Sequence, residues 1–228
     1  MRGLLAVFFF VAGFATAIAE PAVDDLPVHV TEPAREQIKA VVILWSGDGG
    51  WSGSMQGIAD ALAERGYGVA GISSLRYFWY EQAPETMAED TDRLVAYFSR
   101  LWKSNDVIIA GYSFGADTIP FAWPVLADDT RSKTALIALM SPFKKTEFEI
   151  SLLGMLGIIR GSHDVASAIG ALPADRVLCL TGDEETDMAC DISGGYEMSS
   201  VPGGHSYDRN WQLIADILDG AFEKRAPD

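Results

Sequence analysis

Short, largely apolar runs alternate along this sequence with stretches that place apolar residues three and four positions apart. The apolar runs lie at Val41–Trp45, Gly68–Ile72, Val107–Tyr112, Thr134–Met140 and 176–181. The stretches with helical spacing lie at 54–65, 85–102 and 208–222. A run without a polar face suits a strand that is buried on both sides, whereas the second spacing suits a helix with one buried face. The alternation therefore predicts the α/β class, with a mostly parallel sheet covered by helices on both faces.

The first 19 residues differ from the rest of the chain. Arg2 precedes an apolar run over 3–14, and the small residues of 17–19 match the pattern that precedes signal-peptide cleavage. The run is shorter than the roughly 20 apolar residues that a membrane-spanning helix needs. We therefore predict a signal peptide at 1–19 and one domain at 20–228, because 228 residues fit one large domain better than two. The alternative is a retained membrane anchor.

The net charge of the chain limits which partners it can bind, and its two cysteines bear on the compartment in which it folds. The formal net charge is -15, and such a surface repels nucleic acid, whose phosphates are bound by clusters of Lys and Arg. We expect no nucleic-acid partner. Cys179 and Cys190 have ten residues between them, and the oxidising compartment of an exported protein favours their pairing. The sequence predicts this disulfide, with two separate buried thiols as the alternative.

The sequence Gly-Tyr-Ser-Phe-Gly at 111–115 follows one predicted strand and opens a helical segment. This strand–turn–helix context is that of the nucleophile elbow of α/β-hydrolases, and it predicts Ser113 as a nucleophile. A plain Gly-containing turn is the alternative. A serine hydroxyl needs a base to take its proton. Of the three histidines, His205 lies just before the last predicted helix, which fits the chain order Ser, acid, His.

The third member of a triad is expected in the acidic loop at 182–187. Glu185 is the first candidate, by its distance from the Gly that ends the preceding strand in α/β-hydrolases. Asp187 is the second candidate and Asp183 the third. Such an acid fixes the tautomer and the orientation of the histidine.

An oxyanion hole is expected from two backbone amides. One is the N–H of Phe114, which follows the nucleophile, and the other is the N–H of Asp48 in the Gly-rich loop at 46–51. A phosphate-binding P-loop is excluded there because no Lys-Ser/Thr pair follows the glycines. We predict no metal and no cofactor. The segment at 143–170 interrupts the alternation, and it is either a lid or binding wall over the sheet or ordinary packing under a long connection.

Three segments together closely resemble the VirJ/AcvB family of bacterial virulence proteins. They are Ser-Gly-Asp-Gly-Gly-Trp at 46–51, Ser-Leu-Arg-Tyr-Phe-Trp at 74–79 and Gly-Tyr-Ser-Phe-Gly-Ala-Asp at 111–117. The acidic loop and Pro-Gly-Gly-His at 202–205 extend the match. The resemblance implies a periplasmic α/β-hydrolase domain. For AcvB-type members it implies hydrolysis of lysyl-phosphatidylglycerol, and for VirJ-type members a part in type IV secretion of virulence substrates.

Two hypotheses follow for a chain with the short, single-domain length of the VirJ type. The first is a serine hydrolase whose partner is an aminoacylated phospholipid. The second is a non-enzymatic adaptor that binds periplasmic type IV secretion components. For the first, acidic residues are expected to receive the lysyl group, and the apolar stretch at 151–159 to meet acyl chains. The predicted substrate-binding residues are Trp51, Arg76, Tyr77 and Trp79, with Arg76 on the lipid phosphate or, alternatively, in a surface ion pair.

Overall fold

A seven-stranded sheet organises the part of the chain that the computed structural model describes, which is residues 22–151, 161–191 and 195–226. Its strands are β1 (Val28–Thr31), β2 (Val41–Trp45), β3 (Gly68–Ile72), β4 (Val107–Tyr112), β5 (Thr134–Met140), β8 (Val177–Gly182) and β9 (Glu197–Val201). Their order is β1-β3-β2-β4-β5-β8-β9, and every neighbouring pair is parallel except β1 with β3. A separate antiparallel ribbon pairs β6 (Lys145–Thr146) with β7 (His163–Asp164). The predicted signal peptide at 1–19 lies outside the described residues.

Helices cover both faces of this sheet. They are α1 (Gly53–Glu64), α2 (Ser74–Tyr77), α3 (Pro84–Trp102), α4 (Phe114–Ala122), α5 (Asp128–Lys133), α6 (Val165–Ile169) and α7 (Trp211–Glu223). Successive residues of a strand point to opposite faces, so β2 contributes to two cores. Ile43 packs in one core with α3 and α4, whereas Leu44 packs in the other with α1 and α7. The predicted architecture is confirmed.

The predicted disulfide between Cys179 and Cys190 is confirmed. Cys179 lies in β8, and Cys190 lies in a single 3₁₀ turn, Ala189–Asp191. Both residues are buried. The amide of Ala189 also donates to the carbonyl of Pro142 at the end of β5, at 2.8 Å. The disulfide therefore fastens the returning end of the acidic loop to the strand from which that loop departs.

Parts of the structure go beyond the predicted outline. β1 lies before the first predicted strand and pairs along the edge of the sheet. The helix after Ser113 ends at Ala122, two residues after an internal Pro120, and passes into a 3₁₀ turn, Trp123–Val125. The segment at 143–170 forms β6, β7 and α6, and the predicted apolar stretch at 151–159 lies outside the described residues from 152 onward. No helix among the described residues has the length and apolar character needed to cross a membrane.

Candidate active site

Ser113 lies in a sharp turn between β4 and α4. Its backbone has φ 53° and ψ −120°, a conformation that costs energy for a residue with a Cβ atom. The surrounding hydrogen bonds hold the turn in place. The Ser113 amide donates to the carbonyl of Met140 at 2.8 Å, and the Ser113 carbonyl accepts from the amide of Asp117 at 3.0 Å. The turn therefore presents the Ser113 side chain at the carboxyl end of the parallel strands.

Two glycines permit this turn by leaving room for the backbone. A Cβ atom on Gly111 would lie 2.5 Å from the amide nitrogen of Ala116, one turn into α4. A Cβ atom on Gly115 would lie 2.4 Å from the carbonyl oxygen of Trp45 in β2. Both distances are shorter than real contacts allow. The two glycines of the motif are therefore required by the close approach of α4 to β4 and β2.

A hydrogen-bonded chain connects Ser113 to a buried carboxylate. The Oγ of Ser113 lies 2.9 Å from Nε2 of His205, and Nδ1 of His205 lies 2.6 Å from Oε1 of Glu185. The side chain of Glu185 is 5% exposed, whereas that of His205 is 38% exposed. The arrangement has the nucleophile, base and orienting acid that acyl transfer by serine requires.

The carboxylate of Glu185 is held ionised by its donors. Its Oε2 accepts the Gly182 amide at 2.7 Å and the Ser141 hydroxyl, whose oxygen also contacts the Tyr207 hydroxyl. Burial would raise the pKa of Glu185. The hydrogen bonds from His205, Ser141 and Gly182 outweigh that effect and hold the pKa below its ordinary value. Glu185 is thus a charged acceptor for the Nδ1 hydrogen of His205.

Two aromatic rings flank the imidazole of His205. The ring of Tyr112 lies 5.1 Å away and that of Phe143 5.2 Å away, centroid to centroid, both tilted by about 30–40°. The Tyr112 hydroxyl also donates to the carbonyl of His205 at 2.5 Å. These contacts restrict rotation of the imidazole.

The other two acid candidates lie elsewhere. Asp187 forms an exposed ion pair with Lys144 at 2.6 Å, and its backbone has a φ of 69°. Asp183 accepts the amide of Gly203 at 2.9 Å and so braces the loop that carries His205. Glu185 is therefore the carboxylate that the structure brings to His205, and Asp187 and Asp183 are not. Glu185 lies in a tight turn after β8, in which its amide donates to the carbonyl of Gly182. In this turn the side chain of Glu185 faces inward, toward His205.

The predicted oxyanion donors lie beside Ser113. Phe114 and Asp48 both line the cavity at Ser113. Neither amide donates to another group in the part of the chain that the structure describes. A Cβ atom on Gly47 would lie 3.3 Å from the Ser113 Cβ, so the Gly-rich loop passes directly against the nucleophile. The positions fit an oxyanion hole, and the role itself stays a prediction.

A cavity of about 770 Å³ opens over Ser113 and His205. Its described walls come from the Gly-rich loop, the start of α4, the acidic loop and, for the largest part, 143–151 with Gly161. Five described lining residues are acidic and two are lysines: Asp48, Asp117, Glu147, Glu149, Asp187, Lys144 and Lys145. The described part of the segment at 143–170 therefore forms a wall of this cavity.

The four predicted substrate-binding residues are not among the described residues that line this cavity, and their role in binding stays a prediction. Trp51 stacks on His29 and covers β3, and the hydroxyl of Tyr77 donates to Asp90 at 2.7 Å. Arg76 and Trp79 are exposed. The cause is the short helix α2, which directs Tyr77 into the core under Trp45 and leaves Arg76 and Trp79 on the outer surface.

Sequence reasoning missed Ser141, Tyr207 and Phe143. Ser141 directly follows β5 and has a φ of 51°, and Tyr207 is buried with a φ of 50° in the 3₁₀ turn after His205. A serine directly after a predicted strand that neighbours the nucleophile strand is the signal that points to Ser141. Among the described residues, no group of three or more His, Cys, Asp or Glu side chains is arranged to hold a metal ion.

The sheet order, the elbow and the strand-end triad define the α/β-hydrolase fold, and solved structures agree. Est1E from Butyrivibrio proteoclasticus, with ferulic acid bound, aligns with a TM-score of 0.60 at 14% identity over 88% of this chain and 95% of its own. XC6422 from Xanthomonas campestris, described as an α/β serine hydrolase without a lid, aligns with a TM-score of 0.60 at 16% identity over 88% and 89%. The esterase domain of a Rhodothermus marinus protein aligns with a TM-score of 0.58 at 11% identity over 85% and 91%.

The family model described as "Bacterial virulence protein (VirJ)" matches residues 39–226. The chain therefore belongs to the VirJ family. A comparison with curated protein sequences finds no match.

Proposed function

We propose that this protein is a periplasmic serine hydrolase that cleaves an ester, namely the aminoacyl ester of lysyl-phosphatidylglycerol. One observation carries the proposal. An unbroken chain of hydrogen bonds runs from Ser113 through His205 to the buried Glu185, and it opens into a cavity. The esterases with similar folds support the reaction class. Family membership and the predicted signal peptide support the compartment.

The reaction proceeds in two halves. His205 takes the proton of Ser113 at Nε2 while the serine oxygen attacks the ester carbonyl, and Glu185 stabilises the imidazolium that forms. The negatively charged carbonyl oxygen accepts hydrogen bonds from the amides of Phe114 and Asp48. His205 then returns the proton to the departing glycerol oxygen, which leaves a lysyl ester on Ser113. Water, deprotonated by His205, attacks that ester, and His205 returns the proton to the Ser113 oxygen as lysine is released.

The charge and size of the cavity support the aminoacyl substrate. Its described lining carries five carboxylates and two ammonium groups, which favours a cationic ligand such as a lysyl group. A cavity of about 770 Å³ lies within the range of about 300–1,000 Å³ that is usual for sites of small ligands. The lipid's acyl chains stay outside a cavity of this size, so the headgroup is the part that enters.

A second candidate is a non-enzymatic adaptor that binds periplasmic type IV secretion components on a hydrolase scaffold. The observation in its favour is the family description, which states virulence and no reaction. Function resides in the site rather than the fold, so the two candidates are separated by turnover.

The test uses vesicles that contain lysyl-phosphatidylglycerol, with lysine release followed by thin-layer chromatography. Wild type is expected to release lysine, and Ser113→Ala to lower the rate by about 10⁴-fold or more, because no other nucleophile replaces the serine. Fluorophosphonate labelling of wild type, absent in Ser113→Ala, checks the nucleophile separately. Cleavage of simple esters with the lipid left intact would reject this substrate. Absence of both activities and of labelling would favour the adaptor.

A further inference from the structure

One carboxylate on the cavity wall has no part in the triad. Asp117 is 3% exposed and lies on α4, one helical turn after Ser113. Its Oδ1 accepts the amide of Phe143 at 2.7 Å. Within the described ranges no donor reaches its other oxygen, and no Lys, Arg or His side chain forms an ion pair with it. A buried carboxylate with a single donor is costly, so its retention at this position needs a reason.

The cations nearest in the cavity wall have other acidic partners. Lys144 pairs with Asp187 at 2.6 Å, and Lys145 pairs with Asp164 at 3.2 Å. Asp48 adds a further negative charge, which disfavours ionisation of Asp117. Burial is the larger effect and raises the pKa of Asp117 well above its ordinary value. A cation supplied by a ligand would offset both effects.

Asp117 lies close to the nucleophile on the cavity wall. Its amide donates to the carbonyl of Ser113 at 3.0 Å, and both side chains line the same cavity. In an aminoacyl ester, the α-ammonium nitrogen is two bonds, or about 2.5 Å, from the carbonyl carbon that the serine attacks. We propose that Asp117 binds the α-ammonium group of an aminoacyl ester held at Ser113, and so selects aminoacyl esters over neutral acyl esters. This inference rests on the proposed serine hydrolase function.

The rival explanation is that Asp117 only positions Phe143, whose ring lies against His205. Asp117→Asn separates the two roles. The amide retains a carbonyl oxygen for the Phe143 N–H and removes the charge. A positioning role predicts equal effects on all esters, whereas recognition of the α-ammonium predicts a loss confined to esters that carry that group.

The experiment compares L-alanine ethyl ester with ethyl isobutyrate, in which a methyl group replaces the ammonium, by pH-stat titration on the exported protein. In Asp117→Asn, the ratio of kcat/KM for these two esters is expected to fall about 10- to 100-fold, because a hydrogen-bonded charge pair is lost. Glu184→Gln, which removes a nearby exposed charge, is expected to change that ratio less than about threefold. A second pair, ethyl 6-aminohexanoate and ethyl heptanoate, tests a distal ammonium. In Asp117→Asn, the ratio of kcat/KM for this pair is expected to stay within about threefold of the wild-type ratio.

An equal loss on both members of the alanine pair would overturn the inference in favour of positioning through Phe143. A fall confined to the 6-aminohexanoate pair would assign Asp117 to the distal ammonium instead. If wild type hydrolyses neither ester, the lipid assay and fluorophosphonate labelling decide the proposed function, and calorimetric titration with L-alaninamide tests Asp117 separately. Binding that weakens at least tenfold in Asp117→Asn supports recognition of the α-ammonium, and unchanged binding overturns it.

Discussion

Glu185→Gln exchanges one carboxylate oxygen for an NH₂ group and removes the negative charge from the triad. In the structure, the Gly182 amide donates to Oε2 at 2.7 Å, and His205 contacts Oε1 at 2.6 Å. The Gly182 amide is always a donor, so it requires the oxygen of the glutamine on its side. The NH₂ group then faces Nδ1 of His205, which must become an acceptor.

This rearrangement selects the wrong tautomer of His205. When Nδ1 accepts, Nε2 carries the proton and points it at Ser113, which leaves no base for the serine. The corresponding substitution in trypsin, with the same tautomer argument, lowers kcat about 10⁴-fold. We expect a comparable loss here, which is about 5.5 kcal/mol in activation free energy. Folding is expected to persist, since the glutamine fills the same volume.

The assay is the hydrolysis of a neutral ester, with kcat measured for the variant and for two controls. Glu184→Gln, the exposed neighbour, controls for loss of charge from the loop, and Asp187→Asn tests the alternative acid. In each control variant, kcat is expected to fall less than about tenfold. A Glu185→Gln enzyme that retained more than a tenth of wild-type kcat would refute the assignment. A larger loss in Asp187→Asn than in Glu185→Gln would transfer the role to Asp187.

Three further predictions concern stability. Replacing both Cys179 and Cys190 with Ala is expected to lower the free energy of unfolding by about 2–3 kcal/mol in urea, because the cross-link closes a short loop; equal stability would show that the bond adds nothing. Gly115→Ala is expected to cost at least about 2 kcal/mol, since its Cβ would meet backbone oxygens of the loop after β2, whereas Gly220→Ala in α7, with open space, should be neutral or stabilising. The lowered pKa of Glu185 contributes stability above its ordinary pKa of about 4.5 that is lost as pH falls through the folded value. The melting temperature of wild type should therefore fall more steeply below pH 4.5 than that of Glu185→Gln, and parallel curves would contradict this.

The fold was predictable where strands are buried on both faces. Val41–Trp45 and Val107–Tyr112 have no polar face, and the structure places both at the centre of the sheet. β1 was missed because Val28–Thr31 is a half-buried edge strand between two prolines, so its pattern is short and mixed. The helix α5 was missed because it is short and largely polar.

The nucleophile and the base could be predicted because each follows from a local pattern and from chain order. The acid could only be narrowed to three residues, since the direction of each side chain in a tight loop depends on contacts with other strands. Ser141 and Phe143 reach Glu185 and His205 from β5 and its following loop, which are distant in sequence. The same limit applies to Trp51 and Arg76, which lie outside the described lining of the cavity, because a motif next to the Gly-rich loop does not determine which surface its side chains face.

The described walls of the cavity and its reactive groups come from different parts of the chain. The nucleophile, acid and base follow β4, β8 and β9, whereas most of the described lining belongs to the single connection between β5 and β8. That connection contributes Phe143 to the setting of His205, but none of the three reactive side chains. Substitutions or insertions within it can change the shape and charge of the cavity without rebuilding the elbow or the acidic loop. Proteins with this layout can therefore diverge in what the cavity binds while the loops that carry the three reactive side chains stay the same.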